Sequence, residues 1–252
     1  LQRDDVTLVP LKKLGADVDV EQAQRLLDQD EAGDPIDALQ AFDPSGRGFP
    51  IHVPGGAYAA AKMLGDAGKV AVVAGFPIRT AAGRVAPESD STKGAAVLAA
   101  GLAKLGKDTV CITIPANVKP LKAALAVLGR GDIDVRPFGL KIGPHAEGEA
   151  LRMLKRLNPD AIISVEAPGR DAKGQYWSST GERVTGHVAA LDEFFYAART
   201  INEGRTGAAK IKQLAILDVG NEVGGGNVDK RVRRAPDGQR IASEVTVDQL
   251  VT

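Results

Sequence analysis

Five short strand-like runs, each separated from the next by a stretch of helix-forming sequence, constrain this chain more than any other feature. The runs fall at 69–74 (Lys-Val-Ala-Val-Val-Ala), 109–114, 133–137, 161–165 and 213–217. Most are apolar and β-branched throughout rather than alternating, as expected of strands buried on both faces. Ahead of the first run the residue pattern predicts a helix over 58–64, and between the runs helices over 93–105, 119–128, 148–157 and 191–201, with Gly106 and Asn158-Pro159 as stop signals. Strands alternating with helices require crossover connections and therefore parallel pairing. The expected fold class is α/β: a mostly parallel sheet with helices on both faces, a three-layer, Rossmann-like arrangement.

The first 50 residues do not follow this pattern. They are polar and acidic, and a helical stretch at 26–39 is broken by Gly33 and Pro35. They are read as an N-terminal arm or small cap (1–50), with the α/β domain occupying 51–252. Both ends of the chain fall where a longer chain can continue. The 32 basic and 32 acidic residues cancel, so net charge does not draw the chain to nucleic acid or an anionic membrane. Lys230-Arg231-Val232-Arg233-Arg234 is the one dense basic run and reads as a solvated segment. No apolar run approaches the roughly 20 residues of a membrane span. The lone Cys111 lies within a strand pattern, excludes an intramolecular disulfide and fits a reducing compartment. The expected location is the cytoplasm, or the mitochondrial matrix if the N-terminus is processed.

Three strand ends carry chemistry. After the first strand, Gly75-Phe76-Pro77-Ile78 leads to Glu88-Ser89-Asp90-Ser91-Thr92-Lys93-Gly94, two carboxylates and a lysine just ahead of an Ala-rich helix. Ser91 or Thr92 is expected to cap that helix, whose N–H groups offer an anion site. After the 161–165 strand comes Glu166-Ala167-Pro168-Gly169-Arg170, then Gly174-Gln175-Tyr176-Trp177. A carboxylate ending a buried strand must be bonded, paired or metal-bound, and Arg170 is one available partner for Glu166. After the last strand, Asp218-Val219-Gly220-Asn221-Glu222-Val223-Gly224-Gly225-Gly226-Asn227 sets two carboxylates and an amide among glycines.

If these strands are neighbours, their loops converge at one sheet edge, where α/β proteins bind ligands. The oxygen-rich set suits a hard divalent cation, Mn²⁺ or Mg²⁺, rather than zinc, since the loops hold no histidine or cysteine. His52, His145 and His187 have no ligand spacing, with His187 an outside candidate for proton transfer. Neither GxGxxG nor a P-loop is present.

Taken in order, the motifs resemble the C-terminal domain of the D-glutamate cyclases, a family formerly described as a domain of unknown function. The resemblance rests on Gly75-Phe76, Glu88-Ser89-Asp90, Gly94-Ala95, Val165-Glu166-Ala167-Pro168-Gly169, Gly174-Gln175-Tyr176 and the Asp218–Gly226 loop. Ser91-Thr92 stands where the family has Gly-Pro, and Val219 where it has a glycine. The chain ends before the Ser-Asn-Trp-Gly-like segment that the family carries after Asp248-Gln249-Leu250.

The resemblance implies a hydro-lyase that cyclises D-glutamate, or a related amino-dicarboxylate, to 5-oxoproline and water. In this reading Glu88, Asp90, Asp218 and Glu222 hold the metal. Glu88, Asp90, Lys93, Glu166 and Glu222 serve catalysis. Gly94, Arg170, Tyr176, Gly220, Asn221 and Gly224 line the substrate site. The expected partner is a small amino-dicarboxylate, and a homo-oligomer is compatible with the sequence. The alternative is a Mg²⁺- or Mn²⁺-dependent phosphatase, with Lys93 and Arg170 neutralising phosphate. A non-catalytic module would instead keep the loops apart and give Glu88, Glu166 and Glu222 local ion-pair partners.

Overall fold

A computed structural model describes residues 53–79, 83, 85–233 and 241–252. The segment read as an N-terminal arm, 1–50, lies outside the described residues. In chain order the elements are α1 (Gly56–Gly65), β1 (Lys69–Ala74), β2 (Pro77–Arg79), β3 (Val85–Pro87), α2 (Ser89–Lys104), β4 (Asp108–Thr113), α3 (Val118–Val127), β5 (Asp134–Pro137), α4 (Pro144–Leu157), β6 (Ala161–Val165), α5 (Glu193–Glu203), β7 (Lys212–Ile216), α6 (Asp229–Val232) and β8 (Gln249–Val251).

Six strands form one sheet in the order β5-β4-β1-β6-β7-β8, with every pair parallel. The chain moves outward from β1 to β4 and β5, returns to the other side of β1 as β6, and continues to β7 and β8. Strand order therefore reverses between β1 and β6. That reversal opens a crevice at the carboxyl edge, the ligand position of doubly wound sheets.

Strand alternation splits the core into two layers. Val70, Val72 and Ala74 of β1 pack with α1, α2 and α3, while Ala71 and Val73 pack with α4 and α5. Successive side chains of a strand point to opposite faces, so a fully apolar β1 serves both layers. Helix α2 buries Ala95, Ala96, Ala99 and Leu102, one stripe at helical spacing. Helix α4 does the same with Ala146, Ala150, Met153, Leu154 and Leu157. Each fully buried leucine contributes about 1.5–3 kcal/mol. The three-layer α/β fold expected from the alternation is the fold observed.

The differences are local. Helix α2 begins at Ser89 rather than near 93, with Glu88 as its N-cap residue and Ser91 and Thr92 buried in the first turn. Helix α4 begins at Pro144, whose fixed φ suits the first helical position. The antiparallel β2–β3 hairpin was not expected, because Pro77 and Pro87 read as loop residues. Among the described residues no helix is long and apolar enough to cross a membrane.

Candidate active site

Neighbouring strands β1, β6 and β7 bring the three motifs to one edge, with Ala74 in register with Val165 and Val165 with Ile216. The chain leaves β1 through Gly75 at φ +124°, where a Cβ would lie 2.9 Å from Thr113 Oγ1. After the hairpin it returns, and Glu88 donates its N–H to the Phe76 carbonyl (2.8 Å), setting Glu88 beside the end of β1. At the end of β6, Glu166 adopts a left-handed backbone, φ +49°. For a residue other than glycine this costs on the order of 1–3 kcal/mol. The Glu166 N–H donates to Ile216 O (2.9 Å), and Ala167 N–H to Ser164 Oγ (3.1 Å).

The loops after β6 and β7 are joined by backbone bonds. Gly169 N–H donates to Asn221 O (3.1 Å) and Val223 N–H to Ala167 O (2.8 Å). The approach leaves no room for a side chain at Gly169, where a Cβ would lie 2.7 Å from the Glu222 backbone carbonyl.

One carboxylate oxygen from each of Glu88, Asp90 and Glu166 lies within 4.8 Å of the others. Glu88 and Glu166 are half-buried and Asp90 is exposed. Burial pushes the Glu88 carboxyl up to about 7, aided by the charges of Asp90 and Asp218. Burial likewise pushes Glu166 up to about 8, with Asp90, Asp218 and Glu88 adding repulsion. Charges that raise one another's proton affinity in this way are relieved by a cation, and an all-carboxylate donor set suits a hard one. The residues present therefore fit a divalent metal.

Asp218 acts on both glutamates by its charge and is exposed. Glu222 stands outside the trio. It is buried, its Oε2 accepts the Gly220 N–H (2.7 Å), and its carboxyl is hydrogen-bonded to the Asp218 side chain. Burial first, then Asp218, holds its proton affinity well above the usual carboxylate range.

The remaining expected residues are distributed unevenly. Lys93 and Gly94 are exposed on α2. Gly94 lies in the second turn, so its N–H is spent inside the helix, and the amides that no intrahelical bond reaches belong to residues such as Ser89 and Asp90. The expected capping role of Ser91 or Thr92 is corrected: neither stands at the N-cap, and Thr92 Oγ1 donates to Glu88 O (2.8 Å) from inside the helix. Gly220 (φ +103°) packs against Val232, and Gly224 (φ +99°) against Leu250, Ala215 and Leu217. Asn221 is buried with Nδ2 donating to Trp177 O (2.8 Å), and among the described residues its Oδ1 has no hydrogen-bond partner.

Arg170 does not pair with Glu166. Its Nε donates to Asp192 Oδ2 (2.7 Å), its Nη2 lies 2.8 Å from Glu193 Oε1, and its guanidinium stacks 4.3 Å over the Tyr196 ring. Tyr176 is buried in the same network, donating its hydroxyl to Asp192 Oδ1 (2.6 Å). Arg170 also lines a cavity of about 460 Å³ with Glu147, Glu193, Tyr196 and Arg199, residues of α4 and α5 and none of the trio. Asp192 is fully buried and was not singled out from sequence. Its partner lies 22 residues away, a contact that only the fold creates. Among the described residues, Glu88, Glu166 and Glu222 form no ion pair with a basic group.

A doubly wound α/β sheet with a carboxylate cluster at its switch point defines the class: a three-layer α/β domain with a candidate acidic metal site. Residues 36–252 match the family described as D-glutamate cyclase-like, C-terminal, and the chain belongs to that family. It is also similar to the human protein "D-glutamate cyclase, mitochondrial", 27% identical over 224 residues. That match covers 84% of this chain and 35% of the human protein, so the chain spans about a third of that relative's length.

Proposed function

We propose that this chain cyclises D-glutamate, or a closely related amino-dicarboxylate, to 5-oxo-D-proline and water, with a divalent cation held by Glu88, Asp90 and Glu166. The observation that carries the reading is the meeting of these carboxylates, from two separate motifs, within 4.8 Å at the switch point of a chain of this family. The human relative's name supplies the reaction class. When bound, such a cation polarises the side-chain carboxylate under attack and stabilises the charge that grows on its oxygen.

The chain's own residues do the rest. The nitrogen–carbon bond forms as one carbon–oxygen bond breaks. Of the three ammonium hydrogens, one stays on the lactam nitrogen and two leave with the oxygen as water. Asp218, beside the trio and held by Glu222, takes a proton from the ammonium, and Lys93, exposed on α2, is the second candidate for proton handling. The N-terminus of α2, at Ser89 and Asp90, favours the substrate's remaining carboxylate. Glu222 orients Asp218, and Asn221 shapes the loop around it. The phosphatase alternative is weakened because Arg170, one of its two cations, is engaged by Asp192 and Glu193. A reducing compartment suits the buried Cys111, whose thiol burial pushes up to about 12.

Incubation with D- and L-glutamate, with Mn²⁺ or with chelator, followed by chromatography for 5-oxoproline, tests the proposal. Metal-dependent product from the D isomer is expected. No product from either isomer, with phosphate released from a generic phosphoester, would overturn it in favour of phosphoester hydrolysis.

A further inference from the structure

A buried chain of hydrogen bonds runs from the sheet to the turn that carries Glu88 and Asp90, and neither the family match nor the proposed reaction uses it. Thr113, the last residue of β4, donates its hydroxyl to the Ala74 carbonyl at the end of β1 (2.7 Å). Asn117, in a 3₁₀ turn just after β4, donates Nδ2 to Thr113 Oγ1 (2.9 Å). Its Oδ1 lies 2.7 Å from Thr92 Oγ1, whose one hydroxyl hydrogen is shared with the Glu88 carbonyl at 2.8 Å. Thr113 and Asn117 are fully buried and Thr92 is nearly so.

Two features say that this chain is built around the turn rather than around the core. Polar side chains out of water are costly unless every one is paired, and apolar residues of the same size would fill the space without that demand. The chain also dictates its neighbour: Gly75 cannot carry a Cβ, because the Thr113 hydroxyl lies 2.9 Å from where it would stand. Each bond leads one step from the rigid ends of β1 and β4 toward Glu88.

We propose that Asn117, acting with Thr92 and Thr113, is the positioning residue of the Glu88–Asp90 turn. It fixes the separation between those two carboxylates at the start of α2 and Glu166 on the neighbouring strand end. The inference rests on the trio as the cation site proposed above. Outer-shell partners of ligating residues typically change metal affinity by about 10–100-fold when removed.

The test compares Mn²⁺ binding by calorimetry with hydrogen–deuterium exchange of the metal-free chain across residues 88–92. The variants are Asn117→Ala, Thr92→Val, Thr92→Ser and, as a core control, Leu102→Ala, buried on the same helix. Thr92→Val and Asn117→Ala are expected to weaken Mn²⁺ about tenfold or more and to speed exchange across 88–92. Thr92→Ser keeps the hydroxyl and should bind like the wild type, as should Leu102→Ala despite its lower stability. Wild-type affinity and exchange in both Thr92→Val and Asn117→Ala would overturn the inference, as would equal loss in Leu102→Ala. If the wild type itself binds no Mn²⁺, the metal reading falls, and exchange alone decides: faster in Thr92→Val supports the positioning role, unchanged overturns it.

Discussion

Glu166 gathers the unfavourable contributions of this site into one residue. Its backbone is left-handed and its half-buried carboxylate faces Asp90, Asp218 and Glu88. Glu166→Gln removes a charge from that group without changing shape. The metal-free variant is expected to melt higher at pH 8, by roughly 2–4 °C, while Mn²⁺ affinity falls about tenfold or more. Thermal melts in chelator and calorimetric titration read the two effects. The pH dependence has a definite sign. Glu88 at about 7 and Glu166 at about 8 both lie above their ordinary 4.5, so the folded chain holds protons that the unfolded chain releases. Their contribution is fully present below about pH 4.5 and is lost as pH rises through 7 and 8. Melting temperature in chelator should fall across that window, and saturating Mn²⁺ should restore it. Glu222 behaves differently, because its carboxyl is buried with its proton affinity raised and bonds both Gly220 and Asp218. Glutamine imitates the protonated acid, so Glu222→Gln should keep stability within about 1 kcal/mol, whereas Glu222→Ala should lose about 1–3 kcal/mol. Urea melts of the two variants read these stabilities, and calorimetric Mn²⁺ titration of the Gln variant distinguishes an orienting residue from a ligand, since only a ligand would lose Mn²⁺ binding.

Elements stand or fall on glycine positions that can be checked one by one. Gly101 lies mid-helix in α2 with nothing within 4 Å of an added Cβ. Gly101→Ala should therefore stabilise the chain by about 0.5–1 kcal/mol. Gly225 is the opposite case, since a Cβ there collides with the Gly220 carbonyl inside the β7 loop. Gly225→Ala should displace that loop and melt several degrees lower, and an unchanged melt would mean the loop is not held as described. These elements also show where sequence reading succeeds. β1 and β6 fall on the expected residues, because six- and five-residue apolar runs bounded by glycine or polar residues have few alternatives. The β2–β3 hairpin does not, since prolines in three-residue strands leave no alternation to read. The start of α2 is missed by four residues because a glutamate, not a serine or threonine, occupies the N-cap. Within the site, the carboxylates at strand ends are legible as a pattern, but which of them meet is not. Glu166 joins Glu88 and Asp90 through its backbone conformation, Glu222 turns inward to Gly220, and Arg170 finds Asp192 across 22 residues. Each outcome depends on tertiary geometry that spacing does not encode.

At the scale of the molecule, the place of the candidate site follows from one topological fact. The strand order reverses between β1 and β6, so the segment after β1 and the loop after β6 open onto the same crevice, with the β7 loop zipped alongside. Two core layers hold the sheet from both faces and leave its carboxyl edge to polar loops. The formal charges of the whole chain cancel and give no long-range pull of their own, so the proposed cation would be drawn by the local cluster. The measurement that tests the central claim most directly is 5-oxoproline formation from D-glutamate by the wild type and by Glu166→Gln, side by side in saturating Mn²⁺ and after chelation. The expected result is product from the metal-loaded wild type alone, at least a hundredfold above the variant, a gap of about 2.7 kcal/mol in transition-state stabilisation. Equal product from wild type and Glu166→Gln, or undiminished product after chelation, would contradict the account.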